Sequence, residues 1–437
     1  MRLAFVIGIV TLYVTLDSHA VPAPSHGTRP TVSVNERKQS QQFVVDLARN
    51  FSSLYFEKLT RYVPAGRILS PLSVFIPISM LTYGSRRSTR KSFLKAIGLS
   101  QNQIQMAKTG YMKYLDQLAN YDISIKTKLF VPEGVELESY FKSLAKKTFH
   151  SEIEAVSVTD GFMDGTKINE WVAVQTHNNV TELFKPEHIG PNPSFVLVNT
   201  VYFKGTWKQA FDKSRTKLRP FHPFGGESLN VKTMYTVGHF RYGQLNDFDI
   251  HFIELPYKSN SIKNAMSMFI LLSKQMTYNP WIEKLPALRN MKLEKLLDSE
   301  ERKVEVFLPK FKIETTLSLN KWLNNVFASA PPFKEAADFT GMFKSSQRFN
   351  FSESVSKVAI EVDEEGHETA ESSGISYNST RTAESSRKTR STDEQVMQFK
   401  VDRPFIAMIV AKGRVLTDIF SISFNGVEFI PDDVTFW

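Results

Sequence analysis

There is no cysteine anywhere in the chain, which excludes disulfide staples, thiolate metal sites and a cysteine nucleophile. A chain of 437 residues with 42% hydrophobic content can bury a core large enough to stand without cross-links. Also lacking are a Gly-x-Ser-x-Gly elbow, a His-Glu-x-x-His pair, a Walker loop and a Gly-x-Gly-x-x-Gly turn, which removes the commonest hydrolase, metalloprotease and nucleotide-binding signatures. The nine histidines fall at no metal-ligand spacing, and His177 and His188 read as a surface pair at a helix end. Asp363, Glu364 and Glu365 are consecutive on a strand. They point to alternating faces and make a poor acid/base constellation. The chain therefore reads as non-enzymatic, with no metal and no cofactor. Beyond the N-terminus no run of eighteen apolar residues occurs, so no membrane span is expected. The net charge of +9 (54 basic less 45 acidic residues) is diffuse and accompanies no nucleic-acid motif.

What is present begins with a secretory leader. Arg2 supplies the positive end, Leu3 to Leu16 an apolar run, and Ser18-His19-Ala20 a small-residue exit cleaved after Ala20. Residues 1–20 are thus a signal peptide, 21–40 a disordered leader, and 41–432 the folded domain of a secreted, extracellular glycoprotein. Asn50, Asn179, Asn350 and Asn378 are glycosylation acceptors. From Gln41 apolar residues recur at three and four, and Val74 to Tyr83 reads as a buried helix after the break and cap at Arg67-Ile-Leu-Ser-Pro-Leu-Ser73. Helices are expected at 101–119, 166–184, 281–300 and 317–328. Strands are expected near 122–131, 195–207, 250–257, 266–273 and 304–311, with a series over 404–430. This mixture without an internal linker predicts one α+β domain. Thirty-four phenylalanines predict a core dominated by aromatic packing. The basic cluster Arg86-Arg87-Ser-Thr-Arg90-Lys91 could meet a sulfated polysaccharide weakly, although a solvated helix start accounts for it as well.

Val358, Ile360 and Val362 alternate with Ala359, Glu361 and Asp363 as a strand, and some thirty small and polar residues follow before Phe399-Lys-Val-Asp-Arg-Pro-Phe405. A loop of that length in a compact domain is either functional or disordered, and it lies open to proteases.

Phe195-Val-Leu-Val-Asn-Thr-Val-Tyr-Phe-Lys-Gly-Thr-Trp207 resembles the central-sheet strand of the serpin family. So do Arg67-Ile-Leu-Ser-Pro-Leu-Ser-Val74, Ile168-Asn-Glu-Trp-Val172 and Val362-Asp-Glu-Glu-Gly366 in their own places. Phe399-Lys-Val-Asp-Arg-Pro-Phe-Ile406 is similar to the C-terminal signature, with Ala407 smaller than usual. The resemblance runs from about residue 41 to 430. It implies a single α+β serpin domain with three β-sheets, about nine helices and an exposed reactive-centre loop within 363–398. It also implies a monomer that traps a serine protease as a suicide substrate, by inserting the cleaved loop into the main sheet. Ser70 and Ser73 would belong to the shutter, Asn199 and Trp207 to the place where the sheet opens, and Glu364, Glu365, Gly366, His367 and Glu368 to the hinge. Ser356 stands where the family has histidine.

Counting Gly366 as the fifteenth residue before the scissile bond places that bond at Thr380–Arg381; cleavage one residue later, after Arg381, suits a trypsin-like protease, with Arg387, Lys388 and Arg390 as alternatives. His367, Thr369, Glu371, Ser373, Ile375 and Tyr377 would then face inward. Burying an unpaired Glu371 carboxylate costs several kcal/mol or forces protonation, and the loop is about a dozen residues longer than is common in the family. A non-inhibitory serpin with a binding, carrier or storage role, cleaved as a mere substrate, is the alternative.

Overall fold

The computed structural model describes most of residues 33–424; the longer segments outside it are 176–183, 185–193, 275–292, 319–323, 325–336, 345–349 and 366–395. Helices and strands are numbered in chain order.

Helix α1 (Val34–Tyr62) begins earlier than the sequence suggests. The Ser33 hydroxyl accepts from the Glu36 amide at 3.2 Å, and the Glu36 carboxylate accepts from the Ser33 amide at 2.8 Å. This reciprocal cap nucleates the first turn. Residues 34–40, expected in a disordered leader, are therefore helical, and Ser40 is buried; residues 21–32 lie outside the described residues. α1 packs on α4 (Ile104–Leu118) where Gly110 lets the backbones touch: a Cβ there would sit 2.0 Å from the Ser40 carbonyl oxygen.

All fourteen residues of α2 (Pro71–Gly84) are buried, as expected for a helix apolar on every face. Ser70 occupies its N-cap position, but the Ser70 side chain makes no capping bond; the expected cap is corrected. Pro71 starts the helix instead, its fixed φ suiting the first turn. α3 (Arg87–Ile97) opens on the basic cluster and ends at Gly98, whose φ of +69° favours glycine. Arg86 donates to the carbonyls of Tyr83 and Ser85, and Arg87 lies 3.8 Å from Asp338. α5 (Ser139–Thr148) and α6 (Gly165–Gln175) complete six α-helices among the described residues.

Three sheets are present among the described residues. The largest runs β1 (Arg67–Leu69), β16 (Leu416–Phe424), β15 (Phe405–Lys412), β10 (Met266–Ser273), β9 (Ile250–Pro256), β8 (Leu229–Leu245), β11 (Glu301–Pro309), β14 (Met397–Lys400), with β7 (Lys217–Phe221) also on β8. The second runs β12 (Phe311–Ser318), β13 (Asn350–Val362), β6 (Ser194–Phe203), β2 (Ile123–Pro132), β3 (Glu152–Val156). β4 (Val158–Thr159) and β5 (Phe162–Met163) form a ribbon. One core cluster joins α1, α2, α4 and both large sheets, and α2 touches β6, β13 and β16. It holds a chain of ring contacts from Phe51 through Phe75 and Tyr111 to Phe149.

Two expected elements are corrected. The long strand over 195–207 ends at Phe203, and Trp207 bridges Tyr257 separately. Leu317 and Ser318, expected in a helix, close β12, because pairing with Ser356 and Val355 of β13 overrides local propensity. In 281–300, only Leu293–Asp298 is described as helical, and it is 3-10.

Gly110→Ala is expected to destabilise the fold by about 1–3 kcal/mol through overpacking, read as a lower urea midpoint. An unchanged midpoint would contradict the α1–α4 contact at Ser40.

Candidate functional site

The second sheet has two parallel junctions, β2–β3 at its edge and β13–β6 inside it. β13 pairs with β6 in parallel from Asn350↔Ser194 to Ala359↔Tyr202, although each pairs antiparallel with its other neighbour. At the end of this junction β13 leaves the sheet through Asp363, Glu364 and Glu365. All three carbonyls are claimed there: the Trp207 indole Nε1 donates to Asp363 at 2.8 Å, the Trp207 amide to Glu365 at 3.0 Å, and the Phe211 amide to Glu364 at 2.8 Å. The indole is held in turn. It stacks on Tyr257 at 4.4 Å between centroids and 12° between planes, with Phe203 edge-on to Tyr257 and Phe211 edge-on to Trp207. Gly205 permits this packing, since a Cβ there would lie 2.4 Å from Phe203 and 2.6 Å from Tyr257.

The acidic side chains are paired. Buried Glu364 accepts from Lys310 at 3.1 Å and from the Thr216 hydroxyl at 2.7 Å. Lys213 meets Glu365 at 2.7 Å, and the Asp363 carboxylate accepts from the Glu365 amide. Burial pushes the Glu364 carboxyl up, but the Thr216 hydroxyl, its own backbone amide and Lys310 together hold it below the usual value.

Midway along the junction, Ser356 of β13 and Asn199 of β6 are register partners, and both are buried. Their side chains bond away from each other. Ser356 donates to the Ser73 hydroxyl at 2.6 Å, and Ser73 passes the chain to the Ser70 carbonyl at 2.7 Å. Asn199 Nδ2 donates to Thr127 of β2 at 2.8 Å, while its Oδ1 has no partner among the described residues. Ser356 thus ties β13 to helix α2, and Asn199 ties β6 to β2.

Ser70, Ser73, Asn199, Trp207, Glu364 and Glu365 are thus brought together along one junction. Gly366, His367, Glu368, Glu371, Thr380, Arg381, Arg387, Lys388 and Arg390 lie outside the described residues, as do Asn179, Asn378, His177 and His188. Asn50 is exposed on α1, with the hydroxyl of Ser52 turned inward to the Ala48 carbonyl, and Asn350 is the first residue of β13. Sequence reasoning missed Thr127, Lys213, Thr216, Tyr257 and Lys310. Nothing local marks them: Lys310 lies 54 residues from Glu364 and Thr216 148. No group of three or more His, Cys, Asp or Glu among the described residues could hold a metal ion, and no described helix is long and apolar enough to cross a membrane.

A glutamate whose folded pKa is depressed contributes stability that is present above its unfolded pKa, here 4.5, and lost as pH falls through the folded value. Glu364→Gln is expected to lower stability at pH 7 by about 1.5–3 kcal/mol, the range for hydrogen bonds to a charged group. The gap from the parent should narrow as pH falls below 4.5 in thermal melts; a gap that stays constant with pH would contradict the charged network.

A family model described as Serpin (serine protease inhibitor) matches residues 46–417. Antichymotrypsin-2 of Bombyx mori is 28% identical over 385 residues, spanning 86% of this chain and 96% of that protein. Alaserpin of Manduca sexta is 30% identical over 325 residues, 73% of this chain and 81% of that one. The crystal structure of Serpin48 of Tenebrio molitor has the same fold, with a TM-score of 0.71 at 24% identity over 88% of this chain and 98% of that one. With the parallel junction, the acidic turn beside it and a family match over most of its length, the chain belongs to the serpin family of serine protease inhibitors.

Proposed function

We propose that this serpin is a secreted, monomeric suicide-substrate inhibitor of a trypsin-like serine protease. The observation that supports it most is the direct parallel pairing of β6 with β13. A strand running antiparallel to both can enter between them, replacing one parallel ladder by two antiparallel ones, which pair somewhat better per residue. The chain leaves β13 through Asp363–Glu365 beside Trp207, at the end of that slot.

In this reading the protease serine attacks the carbonyl of Thr380 or Arg381, the peptide bond to the next residue breaks with its nitrogen leaving as a protonated amine, and the acyl-enzyme forms. Residues 366–380 then insert, roughly 50 Å of strand at about 3.3 Å per residue. Shortness favours the first bond: only one residue separates the two choices, whereas cutting at Arg387, Lys388 or Arg390 leaves surplus chain and time for hydrolysis. The shutter of this chain supports easy opening, because Ser356 ties β13 to α2 and not to Asn199. The leader over 1–20 supports secretion, and exposed Asn50 supports glycosylation there. Arg86 and Arg87 are already engaged by carbonyls and by Asp338, which leaves the 86–91 cluster only a weak role toward sulfated polysaccharide. A second reading, a non-inhibitory serpin, rests on Glu371 at an inward position.

Incubation with trypsin is expected to give an SDS-resistant adduct cut after Arg381; only cleaved protein, with no rise in melting temperature after nicking, would favour the second reading. Glu371→Ala should raise the adduct yield several-fold, since an unpaired buried carboxylate costs several kcal/mol.

A further inference from the structure

The solvent face of the β7–β8–β11–β14 half of the largest sheet carries an arrangement that the junction does not use. Val304, Val306 and Leu308 of β11 point into the core. The alternate residues Lys303, Glu305 and Phe307 therefore share the outer face with Tyr235 and Val237 of β8 and with Gln398 and Lys400 of β14, their register partners. Tyr235 and Phe307 meet edge to face at 5.0 Å. The Arg215 guanidinium lies 3.6 Å above the Tyr235 ring, and Arg219 and Lys400 lie 4.7 Å and 5.6 Å from the Phe307 ring. Lys217 stands exposed between the two arginines in sequence.

None of Arg215, Lys217, Arg219 and Lys400 has a carboxylate within ion-pair distance among the described residues. Glu305, on the same face, feels the charges of Arg215 and Lys400 but takes its hydrogen bonds from the Tyr235 hydroxyl and from Gln398, both at 2.8 Å. Arg219 Nε is buried without a partner. A guanidinium lying flat on a ring is held in place while its edge N–H groups stay free to grip a carboxylate. Val237 and Val396, exposed by 39% and 43%, add apolar surface beside these cations. Aromatic and aliphatic surface among fixed cations suits an acidic protein better than a polysaccharide, which gains little from apolar contact.

The face also lies between the two ends of segment 366–395. Lys213, in the same 3-10 turn as Arg215, pairs with Glu365, Thr216 bonds Glu364, and Val396 leads into β14. We propose that this face is a second contact surface for the target, selecting a serine protease whose active-site cleft is rimmed by acidic residues. The proposal rests on the inhibitory reading above, and it adds that target choice is made by charge outside the loop as well as by the residue at the scissile bond.

The test measures adduct formation by the full chain with two trypsin-like proteases, one with an acidic and one with a basic cleft rim. Binding of the same two proteases with the nucleophilic serine replaced by alanine is measured alongside. Arg215→Gln/Arg219→Gln/Lys400→Gln is expected to slow association with the acidic protease roughly tenfold or more at low salt and to leave the basic one unchanged, the difference shrinking at high salt. Lys217→Glu, at an exposed position, should slow it in the same direction, which guards against a misfolded triple variant. Equal rates for both proteases in every variant would overturn the proposal. So would a loss that appears only when heparin is added, which would make the face a polyanion site. If no adduct forms with either protease, the inhibitory reading fails by itself. Weaker binding of the alanine-substituted acidic protease to the triple variant would still uphold the contact surface, and equal binding would overturn it.

Discussion

The parallel contact between β6 and β13 is the constraint on which the remainder of the structure depends. Both strands are flanked on their far sides by antiparallel partners, and both rest on α2, a helix buried on every face. A central junction of this kind cannot be opened by moving one loop. It requires one side of the sheet to part from the other, and the bonds from Ser356 to Ser73 and from Trp207 to Asp363 and Glu365 hold the β13 side in place. They lie at the middle and at the end of one seam, where a small number of bonds can set the threshold for a large rearrangement.

At the end of the seam the ties are strong and varied: an indole N–H, two backbone amides, and a buried carboxylate held by a lysine and a threonine. In the middle they are few. Asn199 keeps an orphan oxygen, and Ser356 reaches only toward the helix. A buried acceptor without a donor costs of order 1–3 kcal/mol, a penalty that any donor arriving between the strands would relieve. The two regions together describe a sheet latched at its rim and loosely held along its length.

Much of this was legible in the sequence because it is periodic or tied to short motifs. The unbroken apolar run of Val74 to Tyr83 announced a helix buried all round, and the alternation through Val358, Ile360 and Val362 announced β13, in which all three are buried. Trp207 and Glu364 were named because they lie in motifs that resemble a known family. What was not legible depends on distance along the chain. Lys310 and Thr216 have no local pattern that points at Glu364, and Tyr257 meets Trp207 only because the two sheets come together there. Leu317 and Ser318 carry a weak local preference that pairing with β13 overrides. The capped start of α1 was legible after all: Ser33 and Glu36 stand at the spacing of a reciprocal cap, in a stretch whose polar composition reads as unstructured.

The account's central claim is that the seam between β6 and β13 is the slot into which the cleaved loop goes. Amide hydrogen exchange on the protein after a single cut in 380–390 tests it most directly. Insertion predicts strong new protection over residues 366–380, together with altered protection along β6 and β13. Rapid exchange throughout 366–380, with β6 and β13 exchanging as in the uncut protein, would contradict it.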